Sequence, residues 1–229
     1  MSRNFLSVND VSDSELELLT RPVIERPQGP VLHGAMAFLF EQMSVRTMSS
    51  FAAAGIDLGL TPIPLSLRGH VVRDRVDIND EVRQLSFIAR CVVVRASVPL
   101  TRLGHPVGLA AVINAGDGSN EHPSQTLLDI TTMRTFGPIE GKRVALMGNL
   151  HQRVSHSLLM ALERMGAHVR LVSPPGLEMD ARYTSSRTNK LLAHTLEDVD
   201  SALGDADFIY QTPIAHWNRR RRRSRTSRG

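Results

Sequence analysis

KRVALMGNLHQRVSHSLLMALERMGAHVRLVSPP, residues 142–175, decides the class of fold. KRVALMG (142–148) is a short apolar run of strand length. VSHSLLMALERMG (154–166) spaces its apolar residues three and four apart and stops on a glycine, the pattern of a helix with a C-terminal cap. HVRLVSPP then reads as a second strand, ended by prolines. Strand, helix and strand in that order require parallel pairing, because only a crossover long enough to hold a helix returns the chain in the same direction. Downstream, LEDVDSALG (196–204) reads as a helix and DFIYQTP (207–213) as a final strand.

The upstream half has the same rhythm. AMAFLF (35–40) is a buried strand, Glu41–Ser44 a loop, and a helix follows through Met48–Ala54. IPLSL (63–67), CVVVR (91–95) and VGLAAVINAG (107–116) are further strands, with an amphipathic helix within DRVDINDEVRQLSFIA. Another helix covers Thr126–Thr135, ahead of Gly137-Pro138. Ser12 and Glu15 form a capping box before a short N-terminal helix ending near Leu19. The expectation is an α/β protein of two domains, each a parallel sheet flanked by helices. Residues 1–136 form the first, 137–218 the second, and 219–229 a basic disordered tail.

A chain of 229 residues is long enough for two cores. No apolar run reaches the roughly 18 residues of a membrane span, and the polar, acidic start lacks the layout of a signal peptide. The single cysteine, Cys91, has no internal disulfide partner. A cytoplasmic enzyme is the expectation. The net charge of +4 reflects the tail: Arg219–Arg223, Arg225 and Arg228 carry seven positive charges, and without them the remainder is −3. The high isoelectric point therefore describes a tail and no nucleic-acid-binding face.

Four places could carry chemistry. Ser44-Val45-Arg46-Thr47 sits between a strand and a helix, where exposed N–H groups, two hydroxyls and a guanidinium suit a phosphate; the alternative is a plain N-cap beside a surface arginine. Arg95 ends a buried strand, the position at which open α/β sheets bind ligands, or it is a solvated strand end. His122 and Gln125 flank Pro123 after a Gly/Asp/Ser/Asn turn. Together an imidazole and a carboxamide can grip an amide-like carbonyl and its NH2 group, or they cap a helix. Arg153 lies in the loop after KRVALMG, well placed to meet an anion. His151 and His156 form no metal-ligand grouping, and LMGNLHQ lacks the glycine pattern of a dinucleotide site. No cofactor and no metal are expected.

Ile113–Asp129, INAGDGSNEHPSQTLLD, resembles the carbamoyl-phosphate signature of aspartate carbamoyltransferases. SVRT resembles that family's STRT phosphate motif, CVVVR its arginine-bearing strand, FLSVNDVSDSELELL its first helix, and GKRVALMG…LVSPPGLEM the opening of its aspartate domain. The ornithine branch is the nearest competitor. The resemblance implies that Ser44, Arg46 and Thr47 bind the phosphate of carbamoyl phosphate. It implies further that Thr47, Arg95 and His122 polarise the carbonyl oxygen, that Gln125 holds the carbamoyl NH2, and that Arg153 holds a carboxylate of aspartate. Homotrimeric assembly and a place in pyrimidine biosynthesis are also implied.

Several positions depart from the family pattern. Val45 replaces a threonine and Met43 a proline. The loop that a neighbouring subunit lends to the site has His70 and Asp74 where the family carries serine and lysine, with Arg73 and Arg75 adjacent. Thr212-Pro213 stands where an arginine would follow threonine. The second domain is expected to be incomplete, its closing helices replaced by the Arg/Ser tail. These departures leave two rivals open: a carbamoyltransferase for another amine, and a non-catalytic homologue that binds carbamoyl phosphate or an intact subunit.

Overall fold

A computed structural model describes residues 3–22, 31–66, 77–100 and 110–214. The chain divides into two compact units, Met1–Phe136 and Gly137–Gly229.

In the first unit, β1 (Gly34–Phe40), β2 (Leu60–Ser66), β3 (Cys91–Ala96) and β4 (Ala111–Asp117) form one parallel sheet in the order β2-β1-β3-β4. Each β1 side chain enters one of two cores, because successive residues of a strand face opposite ways. Ala37, Leu39, Val92, Val94 and Val112 pack with Ile78, Val82 and Leu85 of α3 (Ile78–Ile88). Met36, Phe38, Phe40, Cys91 and Val93 pack with Met48, Phe51 and Ala52 of α2 (Val45–Asp57). A sheet covered on both faces needs strands that are apolar throughout, hence the unbroken AMAFLF and CVVV. Phe38 and Phe40 meet edge to face, with centroids 5.9 Å apart.

The free side of β4 is occupied by the chain's beginning. The Phe5 N–H donates to the Val112 carbonyl at 2.8 Å, and the Asn114 N–H donates back to the Phe5 carbonyl at 2.9 Å. A short 3-10 helix, Val8–Asp10, follows, then α1 (Asp13–Leu19), whose expected Ser12–Glu15 capping box is present in both directions. Arg134, at the end of α4 (Pro123–Arg134), donates to the Glu17 carbonyl at 2.7 Å and the Thr20 hydroxyl at 2.8 Å, tying the two helices together.

In the second unit, β5 (Arg143–Met147), β6 (His168–Ser173), β7 (Asn189–Leu192) and β8 (Phe208–Gln211) form another parallel sheet in the order β7-β6-β5-β8. α5 (Arg153–Arg164) buries Leu158, Leu159, Ala161 and Leu162, and its His156 stacks on Tyr183 at 4.0 Å between centroids. α6 (Leu196–Leu203) places Ala202 and Val199 against Val172 and Leu191.

Three expectations need correction. The helix after the His-Pro tetrad begins at Pro123 rather than Thr126, because proline fits the first helical position, where its missing N–H is not needed. The helix expected over Met48–Ala54 extends over Val45–Asp57, bringing Arg46 and Thr47 into its first turn. β7 was not expected. It is a polar edge strand paired on one side only, so its residues carry no buried-strand pattern. His70, Arg73, Asp74, Arg75 and the tail lie outside the described residues.

Candidate functional site

All four strands of the first unit run the same way, so the segments that follow them gather at one carboxyl edge. From β1 the chain passes through Glu41 into α2. Ser44 is the N-cap of that helix but makes no side-chain bond to its backbone; its hydroxyl instead lies 2.9 Å from that of Thr47. The two hydroxyls are thus fixed as a pair at the positive end of a thirteen-residue helix, with Arg46 exposed beside them.

Arg95 is the register partner of Phe40 on β1. The β3–β4 pairing shifts between Val94 and Ala96, an irregularity of the kind that re-aims a side chain at a strand end. The Arg95 Nη1 donates to the Ala115 carbonyl at 2.9 Å, which anchors the guanidinium over the end of β4. The ends of β1 and β3 are tied together as well. The Glu41 N–H donates to the Arg95 carbonyl at 2.9 Å, and the Glu41 carboxylate accepts the Ser97 N–H.

β4 ends in a turn with Gly118 at φ +52, where an added Cβ would sit 2.7 Å from the Ser97 carbonyl oxygen. Its N–H donates to the Ala96 carbonyl at 2.8 Å, so the β3 and β4 loops touch here. Buried Asp117 holds this turn by accepting the Glu121 N–H at 2.8 Å and the Leu100 N–H at 2.7 Å. His122 follows as N-cap of α4, 8% exposed, and its Nδ1 accepts the Gln125 N–H at 3.4 Å. A neutral ring that accepts at Nδ1 carries its proton on Nε2, so the ring's other nitrogen is a donor. The Gln125 side-chain NH2 donates to Asp129 one turn along at 2.8 Å.

Sequence reasoning missed the residues that hold this loop in place. The Glu121 carboxylate accepts the Ser7 hydroxyl at 2.7 Å and the buried Val8 N–H at 3.1 Å. The buried Asn114 amide donates to the Leu6 carbonyl at 2.8 Å, and its oxygen accepts the Gly116 N–H at 2.8 Å. The one available signal was local: Ser7 and Asp10 have capping-box spacing and form that box.

In the second unit Arg153 opens α5, after the turn that leaves β5. Gly148, in that turn, has φ +106, and an added Cβ would lie 2.2 Å from the Thr212 carbonyl oxygen. The Thr212 N–H donates to the Met147 carbonyl at 2.8 Å, and its hydroxyl lies 3.0 and 2.9 Å from the Met147 and Asn149 carbonyls. The ends of β5 and β8 are therefore in close contact.

The structure thus brings Ser44 to Thr47, His122 to Gln125, and Arg95 to the end of β4, all along the carboxyl edge of one sheet. Arg153 belongs to the other unit. Among the described residues, no group of three or more His, Cys, Asp or Glu side chains could hold a metal ion, and no helix is long and apolar enough to cross a membrane.

Residues 3–135 match the aspartate/ornithine carbamoyltransferase carbamoyl-P binding domain, and residues 140–228 match the Asp/Orn binding domain of the same family. The chain belongs to the aspartate/ornithine carbamoyltransferase family. It is 33% identical over 222 residues to the aspartate carbamoyltransferase catalytic subunit of Methanoculleus marisnigri, covering 92% of this chain and 74% of that one. It is likewise 33% identical over 229 residues to the catalytic subunit of Thermococcus gammatolerans, covering 93% and 73%. Among solved structures, the ornithine carbamoyltransferase of Pyrococcus furiosus superposes with a TM-score of 0.80 at 25% identity, over 98% of this chain and 77% of that one. Aspartate transcarbamoylase from Trypanosoma cruzi in complex with carbamoyl phosphate gives 0.79 at 24% identity, over 95% and 73%, a likeness of fold. Two parallel sheets flanked by helices are the architecture of this family.

Proposed function

We propose that this chain transfers the carbamoyl group of carbamoyl phosphate to the amine of aspartate, giving N-carbamoyl-aspartate and phosphate. The observation that carries the reading is the set of groups along the carboxyl edge of β1, β3 and β4: paired hydroxyls at a helix N-terminus, an anchored guanidinium, a buried imidazole and a carboxamide. The match to the carbamoyl-P binding domain covers these residues, and relatives one-third identical are aspartate carbamoyltransferase catalytic subunits.

In this reading Ser44, Arg46 and Thr47 bind the phosphate, which the α2 N-terminus attracts. Thr47, Arg95 and His122 donate to the carbonyl oxygen, and Gln125 holds the carbamoyl NH2. Arg153 takes a carboxylate of aspartate. The uncharged amine attacks the carbonyl carbon, negative charge builds on the oxygen facing the three donors, and the bond to phosphate oxygen breaks as phosphate leaves. The amine nitrogen then gives up its proton to the departing phosphate. Positioning and preorganised donors supply the catalysis, and every atom of the products comes from the two substrates.

We assign residues 1–136 to carbamoyl-phosphate binding and 137–218 to the amino acid. Homotrimeric assembly, a cytoplasmic location and a step in pyrimidine biosynthesis complete the proposal. The test is a colorimetric assay for N-carbamoyl-aspartate with the purified full chain, run beside calorimetry with carbamoyl phosphate. Product from aspartate is expected. Product only from ornithine or another amine would replace the acceptor, and ligand binding without product would make the chain a non-catalytic homologue. Arg95→Ala with undiminished turnover would refute the site.

A further inference from the structure

A carbamoyl group and an acetyl group differ only in NH2 against CH3, so a site that tells them apart needs an acceptor facing that position. Gln125 has one, its Oε1, but a primary amide can turn over and offer NH2 instead at almost no cost in shape. His122 has its Nδ1 engaged at the helix start, 3.4 Å from the Gln125 backbone nitrogen. The recognition of NH2 therefore depends on which way round the Gln125 amide stands.

Asp129 decides this. It lies four residues after Gln125 on α4, on the same helical face, half-buried, and its Oδ1 accepts the Gln125 Nε2 at 2.8 Å. An ionised carboxylate has no hydrogen to donate, so it selects the amide's NH2 end and turns Oε1 away from itself. We infer that Asp129 is a positioning residue that fixes the Gln125 amide with its oxygen towards the substrate, and so makes the site selective for a carbamoyl over an acyl phosphate. The inference rests on the proposed role of Gln125. The two neighbouring groups of α4 then present opposite polarity, a donor for a carbonyl oxygen and an acceptor for an amide NH2.

The test measures binding of inorganic phosphate, acetyl phosphate and carbamoyl phosphate to the full chain by calorimetry. The wild-type chain is expected to prefer carbamoyl over acetyl phosphate by about tenfold, the worth of roughly one hydrogen bond. Asp129→Asn keeps the shape but offers both donor and acceptor, so Gln125 can stand either way. The preference should fall to about threefold or less, while affinity for inorganic phosphate is unchanged. Gln125→Met should abolish the preference, and adding Asp129→Asn to it should change nothing more. Three results overturn the inference while leaving the pocket in place: an unchanged preference in Asp129→Asn, loss of phosphate affinity together with the preference, or an additive effect in the double variant. Wild-type chain that binds none of the three probes would overturn the pocket itself. Repeating the measurement with Asp129→Ser, which removes the carboxylate without adding an amide, should give the same narrowed preference as Asp129→Asn.

Discussion

Replacing Glu121 by alanine is expected to release the N-terminal segment from the first unit while the sheets stay folded. The carboxylate accepts the Ser7 hydroxyl at 2.7 Å and the Val8 N–H at 3.1 Å. The half-buried Ser7 hydroxyl can turn to water, but Val8 is fully buried and its N–H cannot. A bond to a charged acceptor contributes about 1.5–3 kcal/mol, and stranding a buried donor costs about 1–3 kcal/mol. Removing the buried carboxylate recovers part of its desolvation cost. The net effect on local stability is therefore about 3 kcal/mol. The Asn114 N–H reports it, because it donates across the sheet edge to the Phe5 carbonyl at 2.9 Å. Its native-state exchange with D2O should accelerate roughly a hundredfold, each 1.4 kcal/mol being a factor of ten. Val94 on β3 and Leu146 in the second unit should keep their rates. Glu121→Gln retains one acceptor oxygen and should cost only about 1 kcal/mol. Unchanged exchange at Asn114, or equal acceleration at all three amides, would refute this account of the N-terminal clasp.

Gly148→Ala should destabilise the second unit by about 3 kcal/mol or more, since the new methyl meets the Thr212 carbonyl oxygen at 2.2 Å and φ is +106; urea denaturation followed by circular dichroism would show a lower midpoint. Burial pushes the Cys91 thiol up to about 11, so the native chain should react negligibly with a disulfide reagent at pH 8 and titrate one thiol in denaturant. The Ser12 backbone N–H, then the Arg3 guanidinium, hold the Glu15 carboxyl at about 2 against an ordinary 4.5. Because the folded value is the lower one, the stabilisation is full above pH 4.5 and is lost as pH falls towards 2. The Tm difference between wild type and Glu15→Gln should accordingly close over that range. Arg170 and Arg143 similarly depress Asp205, so Asp205→Asn should be most damaging near neutrality, read as the same Tm difference against pH.

The parts of the fold written plainly in the sequence were those buried on both sides. AMAFLF and CVVV could be read as strands because each residue faces one of two apolar cores, and VSHSLLMALERMG as a helix because its apolar residues share a face. β7 escaped notice because NKLL is three-quarters exposed at an edge and has neither pattern. The start of α4 was placed too late because His-Pro-Ser-Gln has loop-like composition, although Pro123 at the first helical position makes it a helix start. At the candidate site the residue types were legible through a resemblance, since the chemistry sits in short contiguous motifs. Their supports were not. Ser7, Asn114 and Glu121 act through contacts between segments more than a hundred residues apart, and local spacing carries no trace of such pairings.

The clasp between Ser7 and Glu121 spans 114 positions of chain, and Phe5 reaches nearly as far to meet β4. Contacts of such separation form slowly, because a large loop must close before any of them is made. The turn bearing His122 therefore takes its final shape late in refolding, after helices and neighbouring strand pairs have assembled. Stopped-flow refolding should recover ellipticity first and phosphate affinity in a later, slower phase.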